Sequence, residues 1–229
     1  MPARYWRNGV RTCVTLAFFS ATACSDRTWE DYMEAGYDAF QDGRHAEAEE
    51  FFLTAAEFTE YFEPNDLRRA VTLNNLAELF IIEGRFSEAE LLFLSATDVT
   101  ELALGPHHLN LASQLHTVGT FYADRGIHIE AEPLYERAVS IRETELGRND
   151  PMTAESLAGL AGSYYHQGFH AEAEQLYQQV LVVMEQELAP DNIRLAEVFD
   201  EYAGLLRATN RGADALALEL RAQRIRAVP

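Results

Sequence analysis

Cysteine is missing from the main body of this sequence. Both cysteines, Cys13 and Cys24, lie within the first 24 residues of a chain of 229. No disulfide can therefore cross-link the rest of the chain, and no cysteine-based metal cluster can form there. Proline is also scarce, with 7 residues, whereas the helix-favouring residues alanine, leucine, glutamate and glutamine are abundant. The composition predicts an all-α protein.

Positive charge is scarce as well. Lysine and arginine number 18 against 37 aspartates and glutamates, which gives a formal net charge of −19. A surface this acidic repels the phosphates of nucleic acids, so we expect no nucleic-acid partner. The same charge favours association with a basic protein or peptide.

Long apolar runs are absent too. The apolar run at residues 13–19 is far shorter than the roughly 20 residues that a transmembrane helix needs. It follows Arg4, Arg7 and Arg11 and precedes the small residues Ala21-Thr22-Ala23. A positive start, a short apolar run and a small-residue cleavage site are typical of a secretory signal peptide. We expect this signal peptide to span residues 1–23.

The residue after the predicted cleavage site is Cys24. The junction resembles the bacterial lipobox, whose cysteine becomes the lipid-bearing first residue of a lipoprotein. This predicts a membrane anchor, with palmitate, at Cys24, followed by a short linker over residues 24–28. Ser25 favours the outer membrane, so we expect a lipoprotein of the cell envelope that faces the periplasm. The alternative is ordinary cleavage at the same bond and a secreted, soluble periplasmic protein.

A 42-residue period runs through the rest of the chain. Gly84, Gly126 and Gly168 are spaced by 42, Asn210 continues the series, and Gly43 lies one residue short of it. Apolar or small residues recur eleven, eight, seven and four positions before each of these, the spacing of one buried helical stripe. A second stripe recurs five, nine and twelve positions after them. A glycine between two stripes ends the first helix in the left-handed conformation, so each unit is predicted to be a helical hairpin.

Five such hairpins account for residues 29–229. We place the units at about 29–69, 70–111, 112–153, 154–195 and 196–229. Each hairpin alone leaves an apolar face uncovered, so neighbouring hairpins must stack to build a core.

Two stretches resemble the tetratricopeptide repeat, in the 42-residue form found in kinesin light chains. They are residues 73–90, LNNLAELFIIEGRFSEAE, and residues 131–138, AEPLYERA, which lead into Leu146-Gly147. The resemblance implies an all-α, right-handed superhelical solenoid of about five hairpins. It also implies a binding scaffold whose first helices line a concave groove for a partner segment.

The register of the repeat places a set of polar residues on the groove face of the first helices. Asn74 is the foremost candidate, because the family often keeps an asparagine there to hydrogen-bond the backbone of a ligand. The full set of candidates for the partner-binding groove is Asn74, Asn75, Glu78, His116, Thr117, Thr120, Asp124, Glu155, Tyr165, His166, Asp200 and Glu201.

No catalytic or metal-binding motif is visible in the sequence. His45, His128 and His170 recur two residues after the turn positions, which predicts a role in hairpin packing. His107 and His108 have no carboxylate or cysteine at a spacing that would complete a zinc site. The signatures of zinc proteases, serine hydrolases and P-loop proteins are missing. We therefore expect no metal, no cofactor and no enzymatic activity.

These observations favour a protein-protein interaction scaffold or adaptor in the bacterial cell envelope. One alternative is an assembly factor for an envelope machine, similar to the pilotins. A less favoured alternative is a structural array that associates with copies of itself. The sequence identifies neither the partner nor the oligomeric state.

Overall fold

The computed structural model describes residues 27–227, and in this range the chain forms ten α-helices and no strand. The predicted all-α fold class is confirmed. The helices pair as five hairpins, with bounds α1 Trp29–Gln41, α2 His45–Thr59, α3 Leu67–Ile82, α4 Phe86–Leu104, α5 Leu109–Asp124, α6 His128–Glu145, α7 Pro151–Gln167, α8 His170–Glu187, α9 Ile193–Ala208 and α10 Gly212–Arg226. The chain divides into two compact units, one ending at residue 55 and the other beginning at residue 56. Within residues 27–227, none of the helices is both long and apolar enough to cross a bilayer.

The first unit contains α1 and most of α2. Thr28 and Asp31 start α1 with a capping box, in which each side chain bonds the backbone N–H of the other residue. Gly36 of α1 faces Phe52 of α2 so closely that a Cβ on Gly36 would lie 2.5 Å from the ring. Ala39 and Ala48 are fully buried beside this contact. The two helices thus pack through small residues that make room for one aromatic ring.

In the second unit, four hairpins follow one another: α3 with α4, α5 with α6, α7 with α8, and α9 with α10. The second helix of each hairpin packs on the first helix of the next, and the first helices α5, α7 and α9 also meet one another. The alanines and aromatics of the predicted stripes lie in the core. Examples are Ala89, Phe93, Ala131, Tyr135 and Tyr177, each at most 3% exposed.

The turn inside each hairpin has the predicted left-handed residue. The φ angles are 72° at Gly43, 75° at Gly84, 73° at Gly126 and 89° at Gly168. Asn210 adopts φ 62° at the same place in the fifth hairpin. Asparagine tolerates this conformation better than other non-glycine residues, which explains why it can replace glycine here.

The four hairpins of the second unit begin three residues earlier than the predicted bounds. Their first helices start at residues 67, 109, 151 and 193, not at 70, 112, 154 and 196. The start is fixed by a second 42-residue series of capping residues: Asp66, His108, Asp150 and Asn192. Each of these side chains accepts a hydrogen bond from the backbone N–H two residues later. The apolar stripe starts only after the first helical turn, so the stripe alone places the boundary too late.

The capping series gives a prediction for stability. Asp150→Ala removes the acceptor for the Met152 N–H and should lower the free energy of unfolding by about 1 kcal/mol. Asp150→Asn is the matched control, because asparagine caps α9 in the equivalent place and should keep most of the stability. Urea unfolding followed by circular dichroism measures both. Equal loss in the two variants would contradict the capping role.

Candidate binding cleft on the first helices

A cleft of about 460 Å³ lies on the first helices of the last three hairpins, α5, α7 and α9. Eight of the predicted groove residues line it: His116, Thr120, Asp124, Glu155, Tyr165, His166, Asp200 and Glu201. The register of the repeat therefore brings residues that are up to 85 positions apart, from 116 to 201, to one surface. This cleft is the candidate binding site.

The floor of the cleft is built by tyrosines that rise from the second helices. Tyr135 of α6 passes between α5 and α7, where a Cβ added to Gly159 would lie only 2.5 Å from the ring. Its hydroxyl lies 3.1 Å from Thr120 Oγ1, and its ring contacts His116 edge-on. Because Gly159 has no side chain, the tyrosine can reach the cleft from the core.

Two further glycines keep the middle of the cleft open. A Cβ on Gly162 would meet only ordinary contacts, at 3.5 Å from Tyr177 Oη and 3.8 Å from Glu201 Oε2. The Tyr177 hydroxyl donates to Glu201 Oε2 at 3.2 Å, so α8 positions a carboxylate that belongs to α9. Gly204 of α9 lies 3.6 Å or more from Tyr165 by the same measure. A side chain larger than alanine at position 162 would project into the cleft.

The cleft is strongly acidic, and its carboxylates differ in how they are neutralised. Glu155 lies 3.6 Å from Arg194 and 3.9 Å from Arg142, and Asp200 pairs with Arg226. The other three carboxylates that line the cleft, Asp124, Glu197 and Glu201, form no ion pair within residues 27–227. The negative charge around Glu201 is therefore uncompensated.

This enclosure changes the acidity of the groups that share the cleft. Protein surrounds the Glu201 carboxylate although part of its surface reaches the cleft, and this burial, reinforced by the charges of Glu197 and Asp124, raises its pKa to about 7. Burial also raises the pKa of Asp124. Burial, together with the charges of Asp124 and Glu201, raises the pKa of Tyr135 to about 12. These carboxylates and the Tyr135 hydroxyl influence one another across the cleft.

A buried arginine stabilises the other end of the cleft. Arg142 of α6 is 2% exposed and donates at 2.7 Å to both the Met152 carbonyl and Ser156 Oγ. Ser156 Oγ in turn lies 3.4 Å from His116 Nδ1. Burial and the neighbouring charge of Arg142 lower the pKa of His116 to about 4, so this histidine is neutral at neutral pH. The network joins α5, α6 and α7 and gives Glu155 a structural role beside Arg142.

The histidines that recur after the turns pack as predicted in two hairpins and differently in a third. His45 contacts Phe40, and His170 contacts Tyr165, each within its own hairpin. His128 instead stacks on His166 of the next hairpin, with ring centroids 4.3 Å apart. Among residues 27–227, no group of three or more histidine, cysteine, aspartate or glutamate side chains is arranged to hold a metal ion.

Four predicted groove residues do not line the cleft. Asn74 exchanges two hydrogen bonds with Gln114, at 2.7 and 2.9 Å, which couples α3 to α5. Asn75 and Thr117 bond backbone carbonyls of their own helices, those of Val71 and Ser113. Glu78 is exposed on α3, outside the cleft. The amide of Asn74, which the family resemblance assigns to a ligand backbone, is thus occupied within the protein.

The cleft also contains residues that the sequence analysis did not select. Glu197 occupies the same register position in α9 as Glu155 in α7, and Gly204 the same position as Gly162, so the repeat itself could have identified them. Arg194 lies one turn before Glu197. Tyr135 and Tyr177 belong to the second apolar stripe, nine residues after Gly126 and Gly168, which predicts only a place in the core, because a periodic pattern does not show how far a ring reaches.

The fold and the cleft define a class, namely an all-α repeat protein with a candidate binding cleft on the first helices of its hairpins. Residues 32–102 and 156–227 match a family model described as tetratricopeptide repeat, and residues 111–151 match a second model with the same description. The chain belongs to the tetratricopeptide repeat family. Proteins of this family generally serve as protein-interaction scaffolds, and the fold is typically non-catalytic.

Solved structures of similar fold agree with this assignment. The nearly identical TPR-like repeats of a Podospora anserina protein assigned as a kinesin light chain share 22% identity, with a TM-score of 0.71 over 86% of this chain and 94% of that one. BtubC from P. vanneervenii shares 18% identity, with a TM-score of 0.73 over 86% and 79%. The pilF protein of Pseudomonas aeruginosa shares 17%, with a TM-score of 0.60 over 86% and 75%. These likenesses show the fold alone, and a search of curated proteins by sequence finds no match.

The raised pKa of Glu201 predicts how stability depends on pH. Its ordinary pKa is 4.5 and its folded pKa is about 7, so the folded state binds more protons than the unfolded state between these values. Stability contributed by protonated Glu201 is complete below pH 4.5 and is lost as the pH rises to about 7. Glu201→Gln keeps an acceptor for Tyr177 but has no such loss. The melting temperature of the variant should therefore rise relative to wild type as the pH increases through this window.

Thermal unfolding across a pH series measures this difference. His116 acts in the opposite direction, because its lowered pKa makes stability rise with pH from about 4 to 6.5, but it is present in both proteins and cancels in the comparison. Glu145→Gln, an exposed change on α6, should give a flat difference. A flat difference for Glu201→Gln would contradict the assigned environment.

Proposed function

We propose that this protein is a lipid-anchored scaffold of the bacterial cell envelope that binds a segment of a partner protein in the cleft on α5, α7 and α9. The cleft itself is the observation that carries the proposal. Its bare glycines and polar side chains leave room for an extended segment or a helix, whereas the amide of Asn74 on α3 is bonded to Gln114.

The chemistry of the cleft supports binding and gives no support for catalysis. A general acid or base needs a substrate held beside it, but Glu201 faces a broad open surface and bonds to a tyrosine that serves the core. His116 belongs to the structural network around Arg142. In the proposed function, the protein acts by binding its partner. An assembly factor similar to the pilotins is a narrower version of the same function.

Filling the cleft tests the proposal. Gly162 has room for a Cβ, so Gly162→Leu should fold and project an isobutyl group over the floor of the cleft. Affinity capture from envelope extract with the wild-type protein should retain a partner that the variant loses. Gln175→Leu is the matched control, because it adds a leucine to the exposed face of α8 and should retain the partner. Equal capture by Gly162→Leu and wild type would move the binding site away from the cleft. A substitution at Glu155 is less informative, since it would also disturb the buried Arg142.

The location is proposed from the signal peptide and Cys24, which lie outside the described residues 27–227. Cys24→Ser removes the thiol that would carry the lipid and should release the protein into the soluble periplasmic fraction. Cys13→Ser, which lies inside the predicted signal peptide, is the control and should leave the protein with the membranes. Cell fractionation followed by mass spectrometry of the mature N-terminus measures both. A wild-type protein that is already soluble would favour the secreted alternative, and membrane-bound Cys24→Ser would contradict the anchor.

A further inference from the structure

Two stacked histidine rings connect the third hairpin to the fourth in the wall of the cleft. His128 is the first residue of α6, and His166 is the last but one of α7. Their ring centroids lie 4.3 Å apart, and the ring planes are within 10° of parallel. The Gln167 amide supports the same junction, because it donates to the His128 carbonyl at 3.4 Å. Since both rings line the cleft, a change in their contact would change its wall.

The surroundings of His128 favour its neutral form. The residue is half-buried, and its Nδ1 atom is buried with no hydrogen-bond partner among residues 27–227. A neutral imidazole can leave this nitrogen without a proton, whereas an imidazolium has an N–H at both nitrogens. Protonated His128 would therefore bury an N–H without an acceptor, which is unfavourable. Burial accordingly lowers the pKa of His128, and the neighbouring His166 lowers it further.

The charges around the pair act differently on its two rings. The titratable and charged side chains on the surrounding elements are Asp124 and Arg125 at the end of α5, Glu130 and Glu132 of α6, Tyr165 of α7, His170 of α8, and Asp200 and Glu201 of α9. The carboxylates of α5 and α9 share the cleft with the rings, so they favour a first proton on His166, which is exposed. A second proton, on His128, would place positive charges on two rings 4.3 Å apart. The stack therefore tolerates one proton but not two.

We propose that the stack of His128 on His166 is a pH-sensitive latch, which joins the third and fourth hairpins while at most one ring is protonated and opens in acid, so that the cleft releases its partner segment. The inference rests on the proposed function and adds to it the regulation of the cleft. The closed stack binds fewer protons than an open pair of histidines. It is therefore most stable above the ordinary histidine pKa of 6.5 and is lost as the pH falls through the lowered pKa of His128.

Histidine-ring NMR of the purified protein, from about pH 8 to about pH 5, tests the latch directly. In wild type, His128 should take its proton below pH 6.5 and only after His166. His166→Phe keeps a ring in the stack but removes its charge, so the pKa of His128 should rise. His170→Phe is the matched control, because His170 contacts Tyr165 and is not part of the stack. A His128 pKa of 6.5 or above in wild type, or one that is unchanged in His166→Phe, would overturn the latch.

A peptide probe tests the effect of the latch on binding. The probe is selected by the wild-type protein at about pH 8 from a random library displayed on phage, and Gly162→Leu should exclude it from the cleft. On acidification to about pH 5, fluorescence anisotropy should show that wild type and His170→Phe lose about fivefold more affinity than His128→Phe. Phenylalanine suits this position, because Phe86 occupies the equivalent place at the start of α4. The variant thus keeps a ring that cannot take a proton.

The outcomes separate the latch from the proposed function. Glu201 also titrates in this range, but it is present in wild type and in each histidine variant, so its effect cancels in the comparison. Equal loss of affinity in wild type and His128→Phe would overturn the latch and leave the cleft as the binding site. A wild-type protein that selects no peptide, or only peptides that Gly162→Leu still binds, would contradict the proposed function and with it the regulation of the cleft.

Discussion

In hairpins whose second helix has a buried aromatic ring, the contact of that ring with a small residue on the facing helix sets how closely the two helices pack. Phe52 against Gly36 and Tyr135 against Gly119 are two examples, and a Cβ on either glycine would lie 3.0 Å or less from the ring. Any larger residue at these places would separate the helices and leave a void beside fully buried alanines. Because Tyr135 also passes Gly159 of the following hairpin, the same ring that packs its own hairpin forms the floor of the cleft. Core packing and the candidate site thus depend on one contact.

The balance of charge at one end of the cleft differs from that in its middle. At the end that contains Arg142, a buried cation donates to a carbonyl and a serine, and a carboxylate lies 3.9 Å away. This arrangement stabilises the fold, because a buried arginine without such partners would be strongly unfavourable. In the middle of the cleft the balance is reversed. Partial burial raises the pKa values of Asp124 and Glu201, and the charges of Glu197 and Asp124 add to the effect at Glu201. Perturbed pKa values of this kind are common at functional sites.

The sequence alone predicted the hairpins, the left-handed turns and eight of the cleft residues, because all of these follow from a fixed period of apolar residues. It misplaced the start of the hairpins, since the caps Asp66 and Asp150 are polar and belong to a different series. The family resemblance predicts that Asn74 binds a ligand, but its side chain bonds to Gln114. Gln114 lies 40 residues later, a spacing that the 42-residue period does not relate to Asn74. Glu197 was missed although its register matches Glu155. Tyr135 reaches the cleft through the space that Gly159 leaves open, and the spacing of residues in the sequence does not predict such a contact between hairpins.

The departures from the repeat give the candidate cleft its shape. Positions six residues before the turn are Glu78, Thr120, Gly162 and Gly204, so the second pair of hairpins is bare where the first pair has side chains. Nine residues before the turn, α7 has Gly159 whereas α9 has Glu201, and this carboxylate extends over the space that α7 leaves open. A perfect repeat would present the same surface on each hairpin and would have no preferred place for a partner. Because the buried positions are constrained by packing whereas Gly162 and Gly204 have room for a side chain, the chain can keep one scaffold while neighbouring hairpins differ in chemistry.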